Sequence, residues 1–511
     1  DPLTELLAPA ATARETPVTD IVRAIDAARA DDRITTIVLD LDELVAISTG
    51  HAETIGEALN AFRSAAKQVI AFGSYFSQGQ YLLASFADAV YLHPYGQFLP
   101  TGYGVNQLYF NELLAKLGVN IHVFRVGKYK EFVEPYTRSS MSEEAREANQ
   151  ALVDALWHNY GSRIAENRRL GDHEFAAYVD DFAPLLERAK GDMARVALEH
   201  KLVDELLTPD QARARIADRV GYNSKGDFNA VSYQDYLRSI GPERPGSGSD
   251  QVGVITVRGA IVGGKNGRGV IAADDTISLI REARQDQAIK ALVVRIDSPG
   301  GSAFASELIR QELELTQLAG TPVVASMANV AASGGYWIAA TADAIYAQPT
   351  TITGSIGIFG IAATLEKSLE ELGIRSDGVG TTALSRTLNP VTGINEVAAR
   401  ILQANVEHGY TRFLTLVARG RDMTPESVDE VAQGRVWLGE SAKELGLIDE
   451  LGDLDDAIAG AAALAELDTY SIKRISRRLS PEELLLKQLR DRVAAPQTAA
   501  SSVVQAWEGL L

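Results

Sequence analysis

Three glycine-containing turns in the second half of this 511-residue chain carry serines. The first, Asp297-Ser298-Pro299-Gly300-Gly301-Ser302, follows the apolar run KALVVRI. Its bland reading is a tight turn. Its functional reading is that Gly300 and Gly301 let backbone N–H groups face a substrate oxygen, as in an oxyanion hole. The second, Ala331-Ala332-Ser333-Gly334-Gly335-Tyr336-Trp337, enters a run of small residues, IAATADA, that would leave room for an acyl chain. Ser333 at a helix start is either an N-cap or a nucleophile placed where free N–H groups and the helix dipole favour developing negative charge. The third, Thr353-Gly354-Ser355-Ile356-Gly357, reads alone as a loop.

A serine needs a base. Six of the seven histidines lie in the first half: His51, His93, His122, His158, His173 and His200. The seventh, His408, sits in the helical stretch NVEHGYTRFL, where a packed or solvated role suits it. A Ser-His-Asp triad is poorly supported, and a Ser-Lys pair becomes the candidate. The absence of cysteine excludes thiol catalysis, disulfides and Cys-ligated metal, without fixing the compartment. A net charge of −19 argues against a nucleic-acid partner. No apolar stretch of about 18 residues appears, so nothing in the sequence reads as a bilayer span. The opening DPLTELLAPAATARETP lacks the basic flank and apolar run of a signal peptide.

The elements that must position these turns occur twice. SFADAVYLHPYGQFLPTGYGVNQLYFNELLAKLGVN from Ser85 resembles ATADAIYAQPTTITGSIGIFGIAATLEKSLEELGIR from Ala340, at a constant offset of 346 − 91 = 255. ALEHKLVDEL from Ala197 matches AKELGLIDEL from Ala442 at 442 − 197 = 245, implying ten extra residues in the first copy's intervening helices. The copies are expected to span 1–244 and 250–470. The Pro/Gly/Ser-rich linker GPERPGSGSD (241–250) joins them, and a basic amphipathic tail follows over 471–511. QVGVITVRGAIVG, KALVVRID, TPVVASMA and DAIYAQP read as buried strands, alternating with amphipathic helices such as ADDTISLIREARQD and SELIRQELELTQLAG. That alternation predicts an α/β fold with largely parallel sheets and crossover helices. The counterpart of the strand near Val252 falls before residue 1, so the first copy is expected to lack its first strand.

SPGGS, ASGGYW and TGSIGIFG in this order, with VGKYKEFVEPYTRSSMSEEAREAN in the first copy, resemble the signal peptide peptidase A family in its long, tandem-repeat bacterial form. The resemblance covers nearly the whole chain up to about residue 471. It implies two tandem Clp/crotonase-like α/β repeats and a Ser/Lys dyad. Its motifs put the nucleophile on Ser333 and the base on Lys130, with Ser355 bonding the lysine amine. The oxyanion donors fall on Gly334 and on Gly300 or Gly301. No metal or cofactor is required. The offset supports the division: Ser333, Ser355 and the glycine turn correspond to Gln78, Pro100 and Glu43-Leu44-Val45-Ala46, while Lys130 corresponds to Ser385. Each copy lacks what the other holds. An ammonium of pKa about 10.4 must be desolvated to act as a base, and Val126, Tyr129, Phe132 and Val133 could bury Lys130.

The resemblance further implies cleaved signal peptides and similar apolar peptides as substrates. It also implies a bowl-shaped homotetramer and a catalytic body outside the bacterial cytoplasmic membrane, anchored by a segment not in this chain. The tail KRISRRLSPEELLLKQLRDRV (473–493) has helical spacing, suiting a solvated or packed helix or a membrane-surface contact. Two alternatives stand beside the peptidase: a crotonase-like acyl-CoA enzyme and a catalytically inactive membrane-associated scaffold.

Overall fold

Runs of valine, isoleucine and alanine fold as strands, and the amphipathic stretches between them as the helices that cover both sheets. The protein is described by a computed structural model over residues 15–171, 173–241, 250–265 and 269–477. The first copy supplies β1 (Thr36–Asp40), β2 (Gln68–Phe76), β3 (Ala89–Phe98), β4 (Asn120–Val126) and β5 (Glu205–Leu206). The second supplies β6 (Gln251–Arg258), β7 (Ala260–Val262), β8 (Val270–Ala272), β9 (Ile289–Ser298), β10 (Val323–Ala332) and β11 (Ala344–Ala347). It continues with β12 (Ile352–Gly354), β13 (Ile358–Thr364), β14 (Val436–Leu438), β15 (Glu450–Leu451) and β16 (Ser471–Ile475).

One sheet has the order β1-β2-β3-β5, all parallel. The other runs β14-β12-β10-β9-β6-β16, with β11 between β10 and β15; only β14 is antiparallel. The repeat holds at the level of register. Tyr75 pairs with Gln97 as Val330 pairs with Ile352, both shifted by 255. The helix Val18–Ala30 lies 255 residues before Ala273–Gln285. Among the described residues β1 has no neighbour on the side where β6 flanks β9. Each copy has its own core, one around Phe62, Tyr81 and Phe98, the other around Ile296, Met327 and Trp337.

The ten-residue difference is unevenly spread. The long helices Glu143–Arg168 and Glu396–Arg421 are offset by 396 − 143 = 253, and β5 and β15 by 450 − 205 = 245. Eight of the ten residues therefore enter after the long helices. There the first copy has two short helices, Glu174–Asp180 and Phe182–Arg188, and the second has one, Pro425–Val431, followed by a loop and β14.

One expectation is corrected. Residues 471–475 were assigned to the tail, but they form β16, which pairs in parallel with β6 and buries Ser471 and Ile475. Left bare, β6 would present an unpaired edge; β16 covers it with a parallel ladder, and Ile472 and Ile475 pack on opposite faces of the sheet. The rest of the tail from 478 lies outside the described residues, as do 242–249 of the linker. A turn follows β4, leaving Lys128 exposed and Lys130 buried.

The copies also exchange a strand pair. β4 of the first runs antiparallel to β13 of the second over seven residues, from Asn120 opposite Thr364 to Val126 opposite Ile358. This ribbon ends beside the three turns.

Candidate active site

β10 and β12 are parallel neighbours whose last paired residues are Ala332 and Gly354. One residue beyond each lies a serine, Ser333 and Ser355, so the sheet itself delivers them side by side. The Ser333 N–H donates to the Gly354 carbonyl at 2.9 Å. Both serines have left-handed backbones, with φ of 55° and 52°. Such conformations cost non-glycine residues on the order of 1–3 kcal/mol and persist only where the surroundings enforce them. Ser333 occupies the N-cap position of the helix Gly334–Ala339, yet its side chain makes no capping bond. The hydroxyl is turned elsewhere.

It is turned to Lys130. The Lys130 Nζ lies 3.1 Å from Ser333 Oγ, 2.9 Å from Ser355 Oγ and 2.9 Å from the Ser355 carbonyl. The β4–β13 ribbon explains the meeting, since Lys130 lies four residues past the end of β4 and Ser355 three before the start of β13. Lys130 is only 4% exposed. Burial lowers its pKa to about 8, because desolvation penalises the charged ammonium. A neutral amine has two N–H donors and one lone pair. With Ser355 taking both donors, the lone pair is left for the Ser333 hydroxyl.

The glycine turn after β9 closes the other side. A Cβ on Gly300, whose φ is +104°, would come within 2.8 Å of both Ser333 Cβ and the Gly334 nitrogen. Only glycine permits both that backbone and that approach. The Gly300 N–H donates to Ser298 Oγ at 3.1 Å and is therefore occupied. The bonds that tie the turn to β7 run from Ile261 N–H to Gly300 O and from Ser302 N–H to Ile261 O, bypassing the Gly301 N–H. Gly334 is the first residue of its helix, where no intrahelical partner exists for the N–H. A Cβ on Gly334 would stand 3.2 Å from the Gly301 nitrogen, so these two N–H groups are neighbours. The helix behind them is held by Trp337 Nε1–H donating to Glu307, itself paired with Arg310 and Arg412.

All six residues singled out in the sequence thus lie in one site. The sequence missed the loop that holds it together, Gln433-Gly434-Arg435. The Gln433 carbonyl accepts from Tyr129 N–H at 2.9 Å, and the Arg435 carbonyl from Ser355 N–H at 2.7 Å. Gly434 packs so closely on Lys130 that a Cβ there would sit 2.7 Å from the lysine nitrogen of the backbone. The Arg435 guanidinium lies between Tyr129 and Trp437, 5.0 and 4.6 Å from the ring centroids, and pairs with Glu147 at 2.9 Å. The available signal was the register break. This loop falls in the stretch where the offset drops from 253 to 245.

The sequence profile described as Peptidase family S49 matches residues 61–223 and 316–468. "Protease 4" of Salmonella typhi is 44% identical over 460 residues, 90% of this chain and 74% of that protein. "Protease 4" of Haemophilus influenzae is 40% identical over 447 residues, 87% of this chain and 72% of that protein. "Serine protease SPPA, chloroplastic" of Arabidopsis thaliana is 30% identical over 448 residues, covering 86% and 64% respectively.

Proposed function

The chain belongs to peptidase family S49 and is a serine peptidase, and on that premise we propose that Ser333 is its nucleophile and Lys130 its general base. The observation that carries this reading is the 3.1 Å contact between Ser333 Oγ and a buried lysine whose pKa is lowered to about 8. Neutral Lys130 takes the Ser333 proton as Oγ attacks the scissile carbonyl. The carbonyl oxygen becomes an oxyanion held by the N–H groups of Gly301 and Gly334. Gly300 orients the turn by donating its N–H to Ser298 Oγ, which leaves the oxyanion to the other two. The Lys130 ammonium then protonates the leaving amine, and water releases the acyl group from Ser333. Ser355 fixes the rotation of the amine by accepting two of its N–H bonds.

The proposed substrates are apolar peptides, with remnant signal peptides the foremost class, as the resemblance implies. Further proposals, also resting on the resemblance, are a homotetramer held at the bacterial cytoplasmic membrane with its catalytic body on the outer side. Among the described residues no helix is long and apolar enough to cross a membrane. Membership in a peptidase family displaces the acyl-CoA reading. The inactive-scaffold reading is separated by experiment. Purified protein should be labelled at Ser333 by a serine-directed acylating probe and should hydrolyse an apolar peptide ester, and Ser333→Ala should lose both. Hydrolysis persisting in that variant would overturn the assignment.

A further inference from the structure

Both proposed oxyanion donors belong to helix starts. Gly301 immediately precedes Ser302, the N-cap of the helix Ala303–Leu318, and Gly334 opens the helix Gly334–Ala339. The second helix is only six residues long and begins from the left-handed Ser333, so its direction must be imposed by its surroundings. Its backbone is tied to the nucleophile by the Trp337 N–H, which donates to the Ser333 carbonyl at 2.9 Å. The same Trp337 donates its Nε1–H to Glu307 Oε2 at 2.8 Å. Glu307 lies on the other helix, one residue after Ser306, whose Oγ stands 2.5 Å from where a Cβ on Gly334 would fall. One side-chain bond therefore spans the two elements that carry the two donors.

Glu307 is itself held on several sides. Its Oε2 accepts from Arg310 Nε at 2.9 Å. Its Oε1 accepts from Arg310 Nη2 at 3.1 Å, Gln311 Nε2 at 2.9 Å and Arg412 Nη2 at 2.7 Å. Burial pushes the carboxyl's pKa up, but hydrogen bonds from Arg310 and Trp337 overcome that and hold it at about 2, so the group stays an anion at neutral pH. Arg412 comes from the long helix Glu396–Arg421, whose Phe413 ring lies 4.4 Å from that of Trp337.

The first copy shows what this arrangement replaces. Its helix Thr49–Ser64 lies 254 residues before Ala303–Leu318 at both ends, with N-caps Ser48 and Ser302. Glu307 thus corresponds to Glu53, and Arg310 to Gly56. Past the next strand the offset is 255, fixed by Tyr81 and Tyr336, whose hydroxyls donate to Leu202 O and Leu447 O. Trp337 there corresponds to Leu82, and Thr341 to Phe86. In the first copy the Phe86 ring covers Gly56, where a Cβ would stand 2.4 Å from it, and Glu53 accepts instead from Thr350 Oγ1 of the other copy at 3.4 Å. In the second copy Thr341 is short and bonds Arg310 Nη1 at 3.3 Å. An apolar fill stabilises a core as well as buried ion pairs do, or better. The charged version stands in the copy that carries Ser333, where position matters.

We infer that Glu307 is a positioning residue for hydrolysis: acting through Trp337, it fixes the separation of the Gly301 and Gly334 N–H groups. This deepens the reading of the site proposed above and rests on it. The separation counts when the carbonyl oxygen leaves its trigonal position, so the effect falls on kcat and not on substrate binding.

A peptide aldehyde tests this on the full chain. Ser333 Oγ adds to the aldehyde carbon, the serine proton passes to Lys130, and the former carbonyl oxygen takes the oxyanion position. The matching peptide alcohol cannot add and measures ground-state binding. Trp337→Phe keeps a ring against Phe413 and deletes the N–H. It should lower kcat and aldehyde affinity together, by about tenfold or more. KM and alcohol affinity should stay within about twofold. Adding Glu307→Gln to Trp337→Phe should lower neither quantity by more than about a further twofold, since Glu307 acts through the bond already lost. Arg419→Met, which cuts only the outer pair to Glu314, should leave aldehyde affinity unchanged. Aldehyde affinity kept in Trp337→Phe, losses that multiply in the double variant, or an equal loss in Arg419→Met would overturn the inference while leaving the dyad standing. Aldehyde binding as tight to Ser333→Ala as to the parent would overturn the dyad, and the inference with it.

Discussion

Replacing Lys130 by methionine separates the energetic cost of the buried amine from its chemical use. Lys130 is 4% exposed and its pKa falls from 10.5 to about 8, through desolvation. The unfolded chain therefore binds more protons than the folded one between about pH 8 and 10.5, and stability attributable to this group rises with pH across that window. Below about pH 8 the cost of burying the ammonium is fully present; above 10.5 it is gone. At about 1.36 kcal/mol per pKa unit the cost is about 3 kcal/mol. Methionine has similar reach and no charge to desolvate. Chemical denaturation of both proteins at pH 7 and pH 10.5 should show the stability difference, variant minus parent, shrinking by about 3 kcal/mol at the higher pH. Taking the difference removes every other titration the two proteins share. Activity should meanwhile be lost in the variant at all pH values. In the parent, kcat/KM should climb about tenfold from pH 7 to a plateau above pH 9, since roughly one lysine in eleven is neutral at pH 7. A stability difference flat with pH, or a rate already at plateau at pH 7, would refute burial as the source of the base.

Ser355→Ala should lower kcat with little change in KM, because the amine loses a bond that orients its lone pair. A kcat within twofold of the parent would show that the Ser355 carbonyl suffices. Lys128→Ala should leave the kcat/KM profile intact, its amine being exposed and packed on the Tyr129 ring 4.7 Å away; loss of activity there would reassign the base. Arg435→Met should reduce kcat and move the rising limb of the pH profile upward, since a loosened 433–435 loop admits water to Lys130. An unchanged limb would limit Arg435 to a role in stability.

The proposed nucleophile and base were legible only through the family resemblance and the complementary losses at offset 255, since each glycine turn alone reads equally as a loop or an N-cap. The strands were legible from their apolar runs; KALVVRID lies within β9 and DAIYAQP contains β11. What the sequence hid was pairing between distant segments. Nothing in NIHVFRV or IFGIAAT states that they lie antiparallel across the copies, and Gln433-Gly434-Arg435 has no chemistry of its own, acting through carbonyls any residue could offer. The occupation of the Gly300 N–H was equally hidden, because it depends on the Ser298 hydroxyl accepting from it. The strand at 471–475 was missed because KRI reads equally well as the start of a basic helix until the bare edge of β6 is seen.

Dividing the proposed dyad between two copies would make the site a sensor of their junction. Ser333 and Ser355 are set by β10 and β12 and would keep their places with the first copy moved away. Lys130 is set by the turn after β4, which reaches them through seven ribbon pairs and the 433–435 loop. Its burial, and hence its lowered pKa, comes from packing against Gly357 and Gly434 of the other copy. A lysine parted from that packing regains water and a pKa near 10.4, leaving it almost wholly protonated at pH 7. Opening the junction would thus remove the base twice, by distance and by charge.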